Sequence, residues 1–239
     1  MKIISLLLFQ ITINIVMSNN LPKLDTICGN KHITSLNFNI DSIPNIEICN
    51  IKNVILIYSD KNEIVLETDE NILPYIQNKI YNRNIIINKM PNYIIRPSTE
   101  TVYIYSKNIK NINATNCINL TTVGKYICDI FKVKIQSISK IVMDINAQEF
   151  DCIATSISSC NFSGSIENGE LFLESVSYFN SKNFISQNIN LIALSCGNIE
   201  VFCKNEININ ANSVANLTYF GSPFIKEINL KAVAKIKKG

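Results

Sequence analysis

Three acidic side chains that lie close in the chain, Asp144, Glu149 and Asp151, are the nearest approach in this sequence to a catalytic cluster. Two carboxylates flanking a glycosidic bond can serve as general acid and as base or nucleophile, so their chemistry, were they to converge, would be polysaccharide cleavage. Polar alternation around them gives the competing reading of a solvated strand face. His32, the one histidine, follows Cys28 by four residues, a spacing open to metal ligation, but no further ligands recur at matching spacing. No serine sits in a nucleophile motif. The residues therefore predict no enzyme, no catalytic, cofactor-binding or metal site, and no cofactor.

Chemistry of a structural kind is open to the 8 cysteines, Cys28, Cys49, Cys117, Cys128, Cys152, Cys160, Cys196 and Cys203. An even number in an exported chain is compatible with disulfides, and eight allow 105 connectivities. The equal alternative is that they are small buried apolar residues. If Cys28 and Cys49 hold equivalent places in adjacent passes of a repeating structure, their Cα atoms would stand about 4.8 Å apart, within reach of a bridge. Four N-glycosylation sequons, at Asn113, Asn119, Asn161 and Asn216, arise readily in a chain this rich in Asn, Ser and Thr.

Composition bounds the elements that must position these residues. The chain has 239 residues, ample for a core, and its 7 Gly and 6 Pro argue against disorder. A net charge of +3 gives no signal for nucleic acid, and the lysines at Lys231, Lys235, Lys237 and Lys238 read as a solvated end. Residues 1–18 join a basic start to an apolar run ending in small or β-branched residues, the pattern of a secretory signal peptide. The run is too short and too polar-interrupted for a membrane span. An exported protein follows, in the periplasm, on the cell surface or outside the cell, with no stable membrane span once the signal is removed. Residues 19–32 read as a linker.

Residues 53–59 and 63–69 are two strands around the polar Asp60-Lys-Asn62, a hairpin pattern in which Asn62 takes the left-handed conformation. Ile72, Ile76 and Ile80 recur every four residues after Asp69, with Pro74 near the start, and predict a helical turn or two. Beyond Thr101 short strands alternate with polar corners and no helical period survives. Comparable triplets fall near Ile135, Ile153, Leu171, Asn190 and Asn208, roughly 16 to 20 residues apart, the length of one coil of a parallel β-helix. Such corners need backbone with positive φ, and with so few glycines the spacing assigns them to Asn161, Asn180, Asn198 and Asn216.

Residues 195–201, 207–225 and 230–237, with the Tyr219, Gly221 and Pro223 turn between two strands and a basic end, resemble the C-terminal signature of the putative auto-transporter adhesin head domain family, the GIN domain. The opening at Phe38, the strands across Asp60-Lys-Asn62, the segment 71–75 and the strand 85–87 are similar too. The resemblance implies a single domain over residues 33–237 and an all-β fold, a right-handed single-stranded parallel β-helix. A β-sandwich is the alternative. It also implies an exported binding module with an unidentified protein or glycan ligand and scope for self-association; the alternatives are a β-helix carbohydrate-active enzyme and a structural envelope assembly protein. Tyr219, Gly221 and Pro223 read as a structural turn: Gly allows φ that others avoid, Pro fixes φ, and Tyr covers the end of the core.

Overall fold

The computed structural model describes residues 24–81, 83–233 and 235–239. The expected signal segment lies outside the described residues, and the described part of the expected linker includes strand β1 (Asp25–Cys28). The fold is all-β, and among the described residues the one helical piece is a single 3-10 turn, Leu73–Tyr75. The expected helix thus shrinks to one turn: Pro74 sits inside it, and Ile76 and Ile80 belong to the strand that follows.

Sixteen further strands follow in order. They are β2 (Ile33–Asn39), β3 (Asn45–Cys49), β4 (Asn53–Ile57), β5 (Glu63–Asp69), β6 (Ile76–Tyr81), β7 (Asn84–Lys89), β8 (Tyr93–Arg96), β9 (Glu100–Tyr105), β10 (Asn111–Thr115), β11 (Asn119–Ile127), β12 (Ile130–Gln136), β13 (Lys140–Leu194), β14 (Asn198–Asn212), β15 (Asn216–Phe220), β16 (Phe224–Lys231) and β17 (Lys235–Lys238). β1 and β8 pair with each other, and all the others belong to one large sheet.

From β10 onward every pairing is parallel, and each pass of the chain lies on the one before. Asn119 stands beside Lys140, Lys132 beside Asp151, Tyr178 beside Asn198, Asn198 beside Asn216 and Asn216 beside Lys235. Within the 55-residue β13, side chains 19 or 20 residues apart bond to each other. Asn180 donates to Asn161, Asn188 to Asn168 and Asn190 to Glu170, partners one pass apart.

The corners explain this regularity. Asn116, Ser137, Ser156, Ser175, Ser195, Ser213 and Ala232 all have φ between 52° and 57°, once per pass. Serine, not the Asn series predicted from spacing, therefore occupies most of the left-handed positions. Asn161 and Asn180, and separately Asn198 and Asn216, instead pair through their amides at 3.4 and 2.7 Å. The period was right and the residue wrong, because both series advance by the same pass length. A left-handed residue other than Gly costs about 1–2 kcal/mol. The compensation is local. The corner N–H of Asn116, Ser137, Ser195 and Ser213 donates to the carbonyl of Gln136, Thr155, Asn212 and Lys231 on the next pass. The next residue, Cys117, Ile138, Ile157, Val176, Cys196 or Val214, is buried in the core.

Inside the stack, equivalent positions of successive passes form buried ladders. Ile85, Ile46, Ile112, Val133 and Cys152 are one of them. Phe150 packs among Phe131, Phe162 and Phe184, with ring centroids at 6.4, 5.3 and 5.1 Å. All eight cysteines are free thiols. Five are buried, so their place is that of small apolar residues. Burial pushes the Cys117 thiol up to about 11 and that of Cys160 to about 12. Cys28 and Cys49 are not stacked: Cys28 pairs with Arg96, whereas Cys49 lies between Asn88 and Thr115.

The N-terminal part departs from the repeat. β4 and β5 do not form the predicted hairpin, because β9 lies between them, parallel to β4 and antiparallel to β5. β9 buries Glu100, Thr101, Val102 and Ile104, and a strand so buried is satisfied only with a neighbour on each edge. Asn62 does not take a left-handed turn. Its amide donates to the Asp41 carbonyl and its oxygen accepts from the Ser106 hydroxyl. At the end of β5, Asp69 fastens the region around β1 and β8 to the main sheet. Its buried carboxylate accepts from the Lys31 N–H (2.6 Å), the Ser98 N–H (2.7 Å) and the Ser98 hydroxyl (2.7 Å), and Gly29 lies so close that a Cβ there would fall 2.3 Å from its oxygen.

Burial alone would raise the pKa of Asp69, but hydrogen bonds from Ser98, Lys31 and Thr99 outweigh it and hold the carboxyl below its ordinary value. A native pKa below the unfolded one contributes stability that is complete above the unfolded value and is lost as pH falls through the native value. Asp69→Asn is expected to lower unfolding free energy by about 1–3 kcal/mol at neutral pH, the usual worth of hydrogen bonds to a charged group. In urea unfolding of both proteins the difference should shrink below about pH 4; a difference constant with pH would show that the carboxylate charge is not its source.

Candidate ligand-binding face

The stacking that builds the core also aligns the outward side chains. One outward column begins at Asn84 and runs through Asn45, Asn111 and Lys132 to Asp151. It resumes at Glu170 and continues through Asn190 and Asn208 to Glu227. Four neighbouring pairs within it are joined. Asn111 donates to Asn45 at 2.6 Å, Lys132 meets Asp151 at 2.6 Å, Asn190 donates to Glu170 at 2.7 Å and Asn208 donates to Asn190 at 3.2 Å. The hydrogen bond to Asp151, followed by its charge, raises the Lys132 pKa.

An amide has two N–H donors and an oxygen with two lone pairs. A rung such as Asn190 donates one N–H to the neighbour on one side and accepts at one lone pair from the neighbour on the other, leaving a second N–H and a second lone pair for solvent. Beside the middle of this column lie Ile153, Phe172 and Ile192, which line one depression with Asp151, Glu170 and Asn190. Ile153 is 43% exposed. A larger trough of about 460 Å³ adjoins it, lined by Asn45, Asn111, Asn113, Lys132, Lys134 and Asp151 among others. The face thus combines an apolar strip with rigid donors and acceptors along its side.

The residues singled out in the sequence divide. Asp151 belongs to this face. Glu149 is exposed at the start of the same segment, opposite Ile130. Asp144, in contrast, pairs with Lys125 of β11 where Asp151 pairs with Lys132 of β12, and one of its oxygens is buried without a partner. The three acids therefore do not form a cluster. His32 is exposed and its backbone N–H donates to Asn30. No group of three or more His, Cys, Asp or Glu suited to a metal ion occurs among the described residues.

The column and strip are not among the residues whose types suggest catalysis in the sequence. Their signal lies within and beside the repeating triplets 151–153, 170–173 and 189–191, as Asp151-x-Ile153, Glu170-x-Phe172 and Asn190-x-Ile192. A polar residue followed two positions later by an apolar one, both outward, makes a two-column surface once the passes stack.

Tyr219 is partly buried against the core and stands between Val201 and Lys238. Gly221 has φ 93°, and a Cβ there would fall 2.1 Å from the Cys203 carbonyl oxygen. β16 begins immediately after Pro223.

A family model described as "Putative auto-transporter adhesin, head GIN domain" matches residues 45–223. Among solved structures, the chain is similar to a putative adhesin from Bacteroides fragilis at 14% identity and TM-score 0.80, covering 89% of this chain and 99% of that one. It is similar also to a putative lipid binding protein from Parabacteroides distasonis, at 15% identity and TM-score 0.69, covering 90% and 100%. A putative adhesin from Parabacteroides merdae matches at 14% identity and TM-score 0.61, covering 90% and 99%. At these identities the likeness is one of fold. No curated protein matches the chain.

Gly221→Ala is expected to destabilise the protein by about 2 kcal/mol or more, since the left-handed strain adds to a contact that only backbone movement could relieve. Thermal unfolding of the two proteins measures this; equal midpoints would show that the close approach to Cys203 is not required.

Proposed function

The chain belongs to the putative auto-transporter adhesin, head GIN domain family, and from that premise we propose that it is an exported, non-catalytic binding module. In this reading residues 33–237 form one domain, wound as a right-handed single-stranded parallel β-helix. It works in the periplasm, at the cell surface or outside the cell. Parallel pairing at a constant pass length and a left-handed corner once per pass support the winding. Tyr219, Gly221 and Pro223 act as a structural turn near the C-terminal end of the stack and take no part in ligand contact.

The observation that carries the functional reading is the polar column beside the strip of Ile153, Phe172 and Ile192. Of the ligands such a face suits, glycan or protein, it favours glycan. The apolar side of a sugar ring packs on Phe172 and its neighbours, while hydroxyls exchange hydrogen bonds with Asp151, Glu170 and Asn190. Contacts repeated along the column are individually weak and add by number. The carbohydrate-active alternative lacks this support, since Asp144 stands beside Lys125 of β11 while Asp151 stands beside Lys132 of β12 and is engaged by it.

Residues 19–239, immobilised, should retain members of a glycan panel, and Phe172→Ala combined with Asn190→Ala should weaken that retention by about tenfold or more, equivalent to ~1.4 kcal/mol. Loss of retention confined to Gly221 variants, with the face variants unaffected, would place the site elsewhere. Release of products from polysaccharide, abolished by Asp151→Asn, would replace the binding reading with the enzymatic one.

A further inference from the structure

The C-terminal end of the stack is unlike the rest of the surface. β16 pairs with β14 alone, and β17 with β15 alone, among the described residues. Each therefore has one edge whose N–H and C=O groups meet no strand. Nearly all of β16 is exposed, including Phe224 at 69%, Ile225 at 40% and Leu230 at 41%. Exposed apolar side chains on an unpaired edge are the features that elsewhere lead one chain to add a strand to another.

Charge narrows the choice of partner. Between Phe224 and Lys238 lie Lys226, Lys231, Lys235, Lys237 and Lys238 against the single Glu227, so this end more than accounts for the net charge of +3 carried by the whole chain. Lys226 is held by Glu206 at 3.2 Å, and Lys238 reaches the Ser222 hydroxyl. Lys231, Lys235 and Lys237 have no acidic partner among the described residues. β2 and β6 also end the sheet, but neither carries such a run of one sign.

We infer that the edge of β16 and β17 is a strand-addition surface for an extended acidic segment of another polypeptide, one that alternates carboxylates with apolar residues. Backbone pairing satisfies the open edge, apolar positions cover Phe224, Ile225 and Leu230, and carboxylates meet the free lysines. A second copy of this end is disfavoured because it brings five further lysines against the first five. An anionic bilayer answers the charge but supplies no N–H donors to the open carbonyls of the edge. The bulge at Lys226, where β16 slips register against Ile207 and Asn208, blunts the edge against indiscriminate pairing, and the lysines reject basic or neutral strands.

The probe is a ten-residue peptide alternating Glu with Val, titrated against residues 19–239 by fluorescence anisotropy at low and high salt. Three comparisons run beside it: a Lys-Val peptide, the Glu-Val peptide N-methylated at alternate amides, and phosphatidylserine vesicles. Glu-Val binding is expected to weaken with salt, to fall about tenfold or more in the Lys231→Gln, Lys235→Gln double variant, and to slow amide exchange across 224–231. The Lys-Val and N-methylated peptides should not bind. Equal binding of the N-methylated peptide, no protection of 224–231, or binding by vesicles with none by the Glu-Val peptide would each overturn the inference.

Discussion

One backbone constraint orders the molecule: on each pass, at the same place, a residue must enter the left-handed region. From Asn116 to Ala232 that position recurs at nearly constant spacing. Its N–H reaches the carbonyl that precedes the next corner, so each corner fixes the height and phase of the next. Pass length is then not free. An insertion between two corners would move every following side chain out of its column, because side chains alternate sides along a strand and a shift of one residue exchanges them. Register, core and outer face therefore stand or fall together.

The core shows what this constraint permits. Once phase is fixed, a buried position is judged by its neighbours above and below. Cys152 can continue a ladder of Ile and Val because it has similar shape and no polar group to satisfy. The same logic accounts for Cys117 and Cys196, which occupy the inward position after a corner that Ile138, Ile157 and Val176 fill on other passes. Residues that look chemically special in the sequence are thus interchangeable with plain aliphatics. Burial raises the pKa of these thiols, which disfavours the reactive thiolate.

Much of the repeating half was legible because its signal is periodic. Triplets such as those at Ile153, Asn190 and Asn208 are set by the alternation of buried and exposed positions, which composition bias cannot imitate. Corner identity was less legible. Ser and Asn both recur once per pass, and sequence distance alone does not show which series bends the chain and which bonds to itself. The N-terminal part was read least well. Asn53 to Ile57 and Glu63 to Asp69 look like hairpin partners because they are adjacent in sequence, but β9, more than thirty residues further on, separates them. Local turn chemistry carries no information about a strand that arrives later with a stronger demand for burial. The role of Asp69 likewise has no local sign, because its partners Lys31 and Ser98 are remote in sequence.

Stacking also changes what counts as a site. In an enzyme cleft a few residues from distant segments converge on one point, and a search for close clusters of acids looks for that arrangement. The face proposed for binding is assembled by repetition, from one residue per pass, and no rung is distinctive alone. Asn45, Asn111, Asn190 and Asn208 are unremarkable members of an Asn-rich sequence, yet each is bonded to its neighbour or to a carboxylate or amide of the same column. Those bonds hold the amides in one orientation before any ligand arrives, so the entropy of ordering them is spent in folding and not in binding. The phase set by the left-handed corners is what brings the rungs into line, and it links the backbone of Ser156 and Ser175 to the recognition chemistry proposed for Asp151, Glu170 and Phe172.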